Sequence, residues 1–125
     1  MIRLFATLII LVSSSSYACE CSQILSYKEY AAKASMIFRG QLIRAEIIEN
    51  DDHAAEFTFS IGEAFKGVET GKLTVKQDIT SCTLPMNLGR QYLVFTNPGQ
   101  GINLCSGSAD MQRVNFPEIE YLRSE

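Results

Sequence analysis

Four cysteines constrain this chain more than any other feature of its sequence. They are Cys19, Cys21, Cys82 and Cys105, and a single residue separates the first two. An even number of cysteines behind an export signal suggests two disulfides, for which three pairings are possible. A bridge between Cys19 and Cys21 would close a very tight ring, so we expect each of them to pair with a distant cysteine. Each such bridge would contribute roughly 4 kcal/mol in the chain-entropy account.

An export signal is indicated by residues 1–18. A basic residue stands near the start, residues 4–12 form a short apolar core, and small residues lead to a cleavage site after Ala18. Cleavage there would make Cys19 the first residue of the mature chain and leave its α-amino group free. We therefore expect a signal peptide over 1–18 and a mature domain over 19–125, which is secreted to the extracellular space or the periplasm.

Three other interpretations of this region are open. A membrane anchor needs ~20 apolar residues, and the apolar run is far shorter. A bacterial lipoprotein signal would make Cys19 the lipidated residue, but such a signal prefers a leucine-like residue at −3, where this chain has Ser16. Cys19 and Cys21 could also bind a soft metal, although no histidine lies nearby and disulfides suit an exported chain better.

The charge distribution argues against a nucleic-acid partner. The chain has 11 Lys and Arg residues against 14 Asp and Glu residues, and the basic residues are scattered. Binding to phosphates depends on basic side chains that act together. Residues 19–125 have the length of one ordinary small domain, and we expect one. No apolar run within them is long enough to span a membrane. We expect the domain to be a monomer with no cofactor of its own.

Alternation of apolar and polar residues predicts about five β-strands. The clearest are residues 36–48, 56–61, 72–76 and 92–95, with turn-forming residues between them. In the first strand the alternation changes phase near residues 40–43, which predicts a bulge or sharp bend. The predicted core is one face of the first strand together with Phe57, Phe59, Ile61, Leu73, Val75 and Val94.

A short helix is predicted near each end of the domain. Ser26 and Glu29 form a capping box at the start of residues 27–34, which are mostly good helix formers. Pro117 suits the first turn of a second helix. No helices alternate with the strands, so the predicted fold is mainly β: a five-stranded OB-like Greek-key barrel with a short helix near each end and two disulfides.

The residues argue against an enzyme. His53 is the only histidine, and the chain has no G-x-S-x-G, H-E-x-x-H, P-loop or C-x-x-C motif. All four thiols have disulfide roles, which leaves no cysteine nucleophile. Residues 49–53 join acidic side chains to His53 and so suggest a metal site. A solvated hairpin tip is the better interpretation, because no second cluster of ligands supports a metal.

A series of short motifs runs through the chain in a recognisable order. The C-x-C pair is followed by Ala-Ser-Met-Ile-Phe-Arg-Gly at 34–40, Phe-Lys-Gly at 65–67, Ser-Cys at 81–82, Leu-Gly-Arg-Gln-Tyr-Leu-Val-Phe at 88–95 and Leu-Cys-Ser at 104–106. In this order and spacing they resemble the netrin-type (NTR) module, over essentially the whole mature chain. More narrowly, they resemble the N-terminal inhibitory domain of the tissue inhibitors of metalloproteinases.

The resemblance implies an OB-like barrel with the disulfides Cys19–Cys82 and Cys21–Cys105. It also implies that the α-amino nitrogen and carbonyl oxygen of Cys19 chelate the catalytic zinc of a partner metalloproteinase, so that the chain binds no metal in isolation. The inhibitory ridge implied by the family consists of Cys19, Glu20, Cys21, Ser22, Thr80 and Ser81.

Glu20 departs from the family pattern. In the family the residue between the two cysteines enters the S1′ pocket of the protease and is usually small, such as Ser or Thr. An unpaired carboxylate in an apolar pocket is strongly disfavoured. Two alternatives therefore stand beside the inhibitor. One is a non-inhibitory extracellular NTR module that binds a protein or polysaccharide partner and uses its cysteines only structurally. The other is a lipidated envelope protein of the same fold.

Overall fold

The computed structural model describes residues 19, 21, 25–48, 54–79, 82–102 and 104–124. The predicted signal peptide lies outside these residues. In the described part of the chain, no helix has the length and apolar character that crossing a membrane requires.

The chain is mainly β, as predicted, with a short helix near each end. Five antiparallel strands form one sheet. In chain order the elements are α1 (Tyr27–Lys33), β1 (Met36–Ile47), β2 (Ala54–Lys66), β3 (Gly71–Asp78), β4 (Gln91–Thr96), β5 (Ala109–Asp110), a 3-10 turn (Met111–Arg113) and α2 (Phe116–Ser124).

The strand order is β3-β2-β1-β4-β5. Three consecutive strands pair in sequence, and the fourth returns to lie beside the first, which is the Greek-key arrangement. Among the described residues no pairing joins β3 to β5. The Greek-key sheet is therefore confirmed, and closure of the sheet into a barrel stays a prediction.

The predicted change of phase in β1 is confirmed by the register of its pairing with β2. The register shifts between Arg39 and Gly40, and again between Leu42 and Arg44. At the second shift Ile43 has no partner on β2, so it is the additional residue of a β-bulge. Beyond it, Ala45 lies opposite Phe57, which returns Ala45 to the face of the sheet that Leu42 and Phe57 share.

Two apolar clusters cover the two faces of the sheet. The interior core, on one face, contains Phe38, Leu42, Phe59, Ile61, Val75, Leu84, Tyr92, Val94 and Ile102, with Phe57 and Leu73 partly buried against it. The helix-side core, on the other face, contains Ala31, Ala34, Ile37, Leu93, Phe95, Ile119 and Leu122. The predicted core residues thus belong to one cluster, and β4 is buried on both faces because its alternate residues enter different cores.

Local chemistry explains where the helices lie. Ser26 Oγ accepts a hydrogen bond from the Glu29 backbone N–H at 3.3 Å and so caps α1. Arg123 of α2 donates two hydrogen bonds to Glu63 of β2, at 2.8 and 2.9 Å, which fasten α2 across the sheet. The same hydrogen bonds hold the pKa of Glu63 below its ordinary value.

Gly67, the last residue of the Phe-Lys-Gly motif, lies close to the backbone of Ser35, and substitution of Gly67 tests this contact. Its φ is +68°, and a Cβ placed there would lie 1.9 Å from the carbonyl oxygen of Ser35. We expect Gly67→Ala to lower the free energy of unfolding by about 3 kcal/mol, because the backbone must shift as well as accept an unfavourable φ. Urea denaturation of the two proteins measures this difference.

Gly99 is the matched control. Its φ is +78°, but a Cβ there would meet nothing within 4 Å. Gly99→Ala should therefore cost only the conformational preference of glycine, roughly 1 kcal/mol. Equal losses for the two variants would contradict the close contact between Gly67 and Ser35.

Candidate functional site

The two predicted disulfides are present. Cys19 is bonded to Cys82 and Cys21 to Cys105, with Cα–Cα distances of 4.9 and 5.4 Å. Each bond connects positions that are far apart in sequence, with separations of 63 and 84 residues. Because the partner cysteines lie in two different loops, the bonds hold Cys19 and Cys21 to two separate parts of the chain. We call these two bonds the cystine pair.

The two bonds of the cystine pair lie against each other. The sulfur atoms of Cys19 and Cys105, which belong to different bonds, are 3.8 Å apart. The loops that carry the partner cysteines are also joined, because the Leu104 backbone N–H donates a hydrogen bond to the Cys82 carbonyl at 2.9 Å. All four cysteines are half-buried. The pair is therefore one compact cross-link between the N-terminal segment and both loops.

Both loops are anchored in the interior core. Leu84, two residues after Cys82, is buried, and so is Ile102, three residues before Cys105. Leu84 is also held by its carbonyl, which accepts a hydrogen bond at 3.4 Å from Nε2 of Gln77. Because the core is closely packed, these contacts restrict the movement of both loops and of the cystine pair that they carry.

Gln77 is a supporting residue that sequence reasoning missed. Its side chain is fully buried at the end of β3, and Ala55 is its partner on β2. Among the described residues its Oε1 atom has no hydrogen-bond partner. The available signal was the period-two pattern of Leu73 and Val75, which continues to Gln77. A polar residue at a position that should face the core ordinarily indicates that the strand has ended, so the predicted strand stops at residue 76.

The sulfur atoms of Cys19, Cys21 and Cys105 lie within 4.8 Å of one another, close enough to suggest a metal site. A soft metal binds thiolates, whereas each of these sulfurs is bonded to another sulfur. The oxidised sulfurs therefore favour the structural role over the C-x-C metal site. Among the described residues, no other group of three or more such ligands lies close together.

The structure locates part of the predicted ridge. Cys19 and Cys21 are brought together with Cys82 and Cys105, as the resemblance implied. The other predicted ridge residues, Glu20, Ser22, Thr80 and Ser81, lie outside the described residues, and so does His53.

Two exposed apolar side chains flank the cystine pair in sequence, and neither belongs to the predicted inhibitory ridge. Leu104 precedes Cys105 and is 44% exposed, while Ile79 lies three residues before Cys82 and is 41% exposed. Leu104 is also hydrogen-bonded to Cys82 through its backbone. Leu104 therefore places an exposed apolar side chain beside the cystine pair, which suits contact with a protein surface.

A cavity of about 280 Å³ lies elsewhere, among α1, α2 and the strands β1 and β2. It is lined by Ala31, Ala32, Ile37, Phe65, Lys66, Tyr121 and Leu122. Among the predicted site residues that the structure describes, none borders it, so the candidate site is the cystine pair rather than this cavity.

No protein-family model matches the sequence, and no curated protein sequence matches it significantly.

Proposed function

We propose that the chain is an exported inhibitor of zinc metalloproteinases whose mature form begins at Cys19. In this proposal the α-amino nitrogen and carbonyl oxygen of Cys19 chelate the catalytic zinc of the protease. The observation that carries it is the cystine pair: two adjacent disulfides hold Cys19 and Cys21 against loops that are anchored in the core.

The proposed chemistry follows from the coordination of catalytic zinc. Such a zinc keeps one position for water or substrate. The nitrogen and oxygen of Cys19 belong to one residue, so they can form a five-membered chelate ring with the zinc, which expands from four ligands to five. The ring displaces the water that the zinc would activate, and the protease loses its nucleophile. The inhibitor needs no metal of its own, because the zinc belongs to the protease.

The cystine pair makes this binding mode favourable. A flexible chain end loses conformational freedom when it binds, and that loss opposes affinity. Cys19 is restrained by its own bond to Cys82 and by contact of its sulfur with Cys105 at 3.8 Å. A chain end that is already ordered before it meets the protease loses little of this entropy on binding. Exposed Leu104 beside the pair would add apolar contact with the protease around the zinc.

Glu20 decides which proteases can be bound. As the residue between the two cysteines, it would point into the S1′ pocket, where a carboxylate without a partner is disfavoured. We expect Glu20→Thr to strengthen inhibition of a protease with an apolar S1′ pocket by at least about tenfold, since each 1.4 kcal/mol is tenfold in affinity. Inhibition constants measured against proteases with apolar and with basic S1′ pockets test this.

The opposite ranking is expected for a basic S1′ pocket, where Glu20 gains a charge partner and the Thr variant binds more weakly. The melting temperature serves as the folding control and should be the same for the parent chain and the variant. An unchanged inhibition constant against both classes of protease would contradict the placement of Glu20 in S1′.

The proposal as a whole is tested by the exported protein itself. Mass spectrometry of its N-terminus distinguishes a free Cys19 from an acylated or an extended one. The same material is then titrated against a panel of zinc endopeptidases, and we expect stoichiometric inhibition of at least one. A free Cys19 with no inhibition across the panel favours the non-inhibitory NTR binding module, and an acylated Cys19 favours the lipidated envelope protein.

A further inference from the structure

The second half of β1 has one open edge. β1 pairs with β2 along nearly its whole length, whereas its pairing with β4 runs only from Met36 to Gln41. Leu42 makes two further backbone hydrogen bonds, with Arg90 and Gly89. Beyond Leu42, no described residue pairs with β1 on the side away from β2. We call residues 43–47 the open edge; all five are exposed, with Ile43 at 41% and Ile47 at 69%.

The backbone of the open edge is oriented for another strand. The Ile48 N–H donates to the Ala54 carbonyl at 3.1 Å, and Glu46 lies opposite Glu56 in the same register. In an antiparallel ladder, hydrogen-bonding residues alternate along the strand. The N–H and C=O groups of Ala45 and Ile47 therefore point away from β2, toward the open side, where an added strand would meet them.

The side chains of the open edge are symmetric about Ala45. The sequence is Ile43-Arg44-Ala45-Glu46-Ile47, so an isoleucine stands two residues to each side of Ala45. One residue to each side stand Arg44 and Glu46, of opposite charge. Their side chains are 65% and 53% exposed, and Arg44 Nε donates to Glu46 Oε1 at 2.9 Å within the strand.

We propose that the open edge is a homodimer interface in which β1 of one copy pairs antiparallel with β1 of a second copy, centred on Ala45. In this register Arg44 of each copy lies opposite Glu46 of the other, and Ile43 lies opposite Ile47. The backbone groups of Ala45, which point toward the open side, would form the hydrogen-bonded pair on the two-fold axis. A homodimer differs from the monomer that we expect from the sequence.

The two neighbouring registers are disfavoured by charge. A register centred on Arg44 would place the two arginines opposite each other, and one centred on Glu46 would do the same for the two glutamates. Like charges directly opposite each other destabilise a strand pair. Charged residues on an edge strand ordinarily prevent association; here, one register converts them into complementary pairs. The occupant that fits is therefore a second copy of this chain.

The experiment is sedimentation equilibrium of the mature chain, residues 19–125, up to about 1 mM, which covers weak interfaces. We expect reversible dimers. Arg44→Glu alone places Glu opposite Glu, Glu46→Arg alone places Arg opposite Arg, and each should weaken dimerisation by at least about tenfold. Arg113→Glu, on the exposed 3-10 turn, makes the same change of charge elsewhere and should leave the dimer unchanged.

Mixing the two charge-reversed variants separates pairing from folding. Each variant alone loses the ion pair between residues 44 and 46 of its own strand. In a mixed dimer, both charged pairs across the interface again consist of one glutamate, from the Arg44→Glu chain, and one arginine, from the Glu46→Arg chain. We expect the equimolar mixture to form heterodimers with nearly the affinity of the parent chain. A parent chain that stays monomeric throughout, dimers unaffected by the charge reversals, or a mixture that does not associate would each overturn the proposal.

Discussion

A mature chain that carries one additional alanine ahead of Cys19 is expected to lose the proposed inhibition of zinc metalloproteinases. The extension converts the α-amino group of Cys19 into a peptide nitrogen, whose lone pair is delocalised and cannot bind zinc. The added residue would also occupy the space of the metal. Zinc contacts are worth several kcal/mol, so we expect affinity to fall by at least about a thousandfold, which is roughly 4 kcal/mol. Inhibition constants of the two forms, measured with the same protease, provide the comparison.

The extended chain has a direct folding control. Cys19 belongs to neither the interior core nor the helix-side core, so the melting temperature and the two disulfides should be unchanged by the alanine. A chain extended at its C-terminus by one alanine should inhibit as the mature chain does, because that end carries none of the proposed zinc ligands. Equal inhibition by the mature and the N-terminally extended chains would refute chelation by Cys19 even if the protein inhibits in another way.

Removal of the Cys21–Cys105 bond is expected to lower the free energy of unfolding more than either glycine substitution does. The bond closes a sequence separation of 84 residues, and a native disulfide in a small secreted domain contributes about 2–5 kcal/mol. For Cys21→Ala/Cys105→Ala, we expect a melting temperature lower by roughly 10 °C or more. Because Cys19–Cys82 remains, the chain should still fold. Its inhibition should weaken, since the N-terminal segment is then held at one point instead of two.

A second variant excludes effects of side-chain polarity. Cys21→Ser/Cys105→Ser removes the same bond but leaves polar side chains, so its melting temperature should fall by a similar amount. Adding a reducing agent to either variant should lower the melting temperature further, because the Cys19–Cys82 bond is then broken. A melting temperature equal to that of the parent chain would show that this bond does not stabilise the fold.

Much of the fold follows from the local sequence. Alternation in residues 56–61 and 72–76 identifies two strands because side chains of a half-buried strand alternate between core and solvent. Ser26 and Glu29 locate the start of α1 because they satisfy backbone groups that any helix leaves unpaired. The disulfide connectivity, in contrast, did not follow from the local sequence. Local residues left two pairings open, and the order of the motifs along the chain, through the resemblance, singled out Cys19–Cys82 and Cys21–Cys105.

The candidate site was predictable only in outline. The sequence indicated that Cys19 and Cys21 would be bridged, but the contact of the two bonds depends on how the loops carrying Cys82 and Cys105 are brought together. Their hydrogen bond runs from Leu104 to the Cys82 carbonyl, and it joins backbone groups, which carry no signature in the sequence. Gln77 was missed for a related reason, since only packing shows that a polar side chain at the end of β3 is buried.

By itself, the sequence determined the fold class, the helix starts and the region of the bulge in β1, because propensity, capping and alternation act between near neighbours. The tertiary structure alone decided that Ile43 is the additional residue of the bulge and that β4 stops pairing at Gln41. Register depends on which residues of distant strands meet, and a shift of one residue turns every side chain to the other face. For that reason the symmetric charges of residues 43–47 are visible in the sequence, but only the pairing of the strands shows that these residues lie on an open edge.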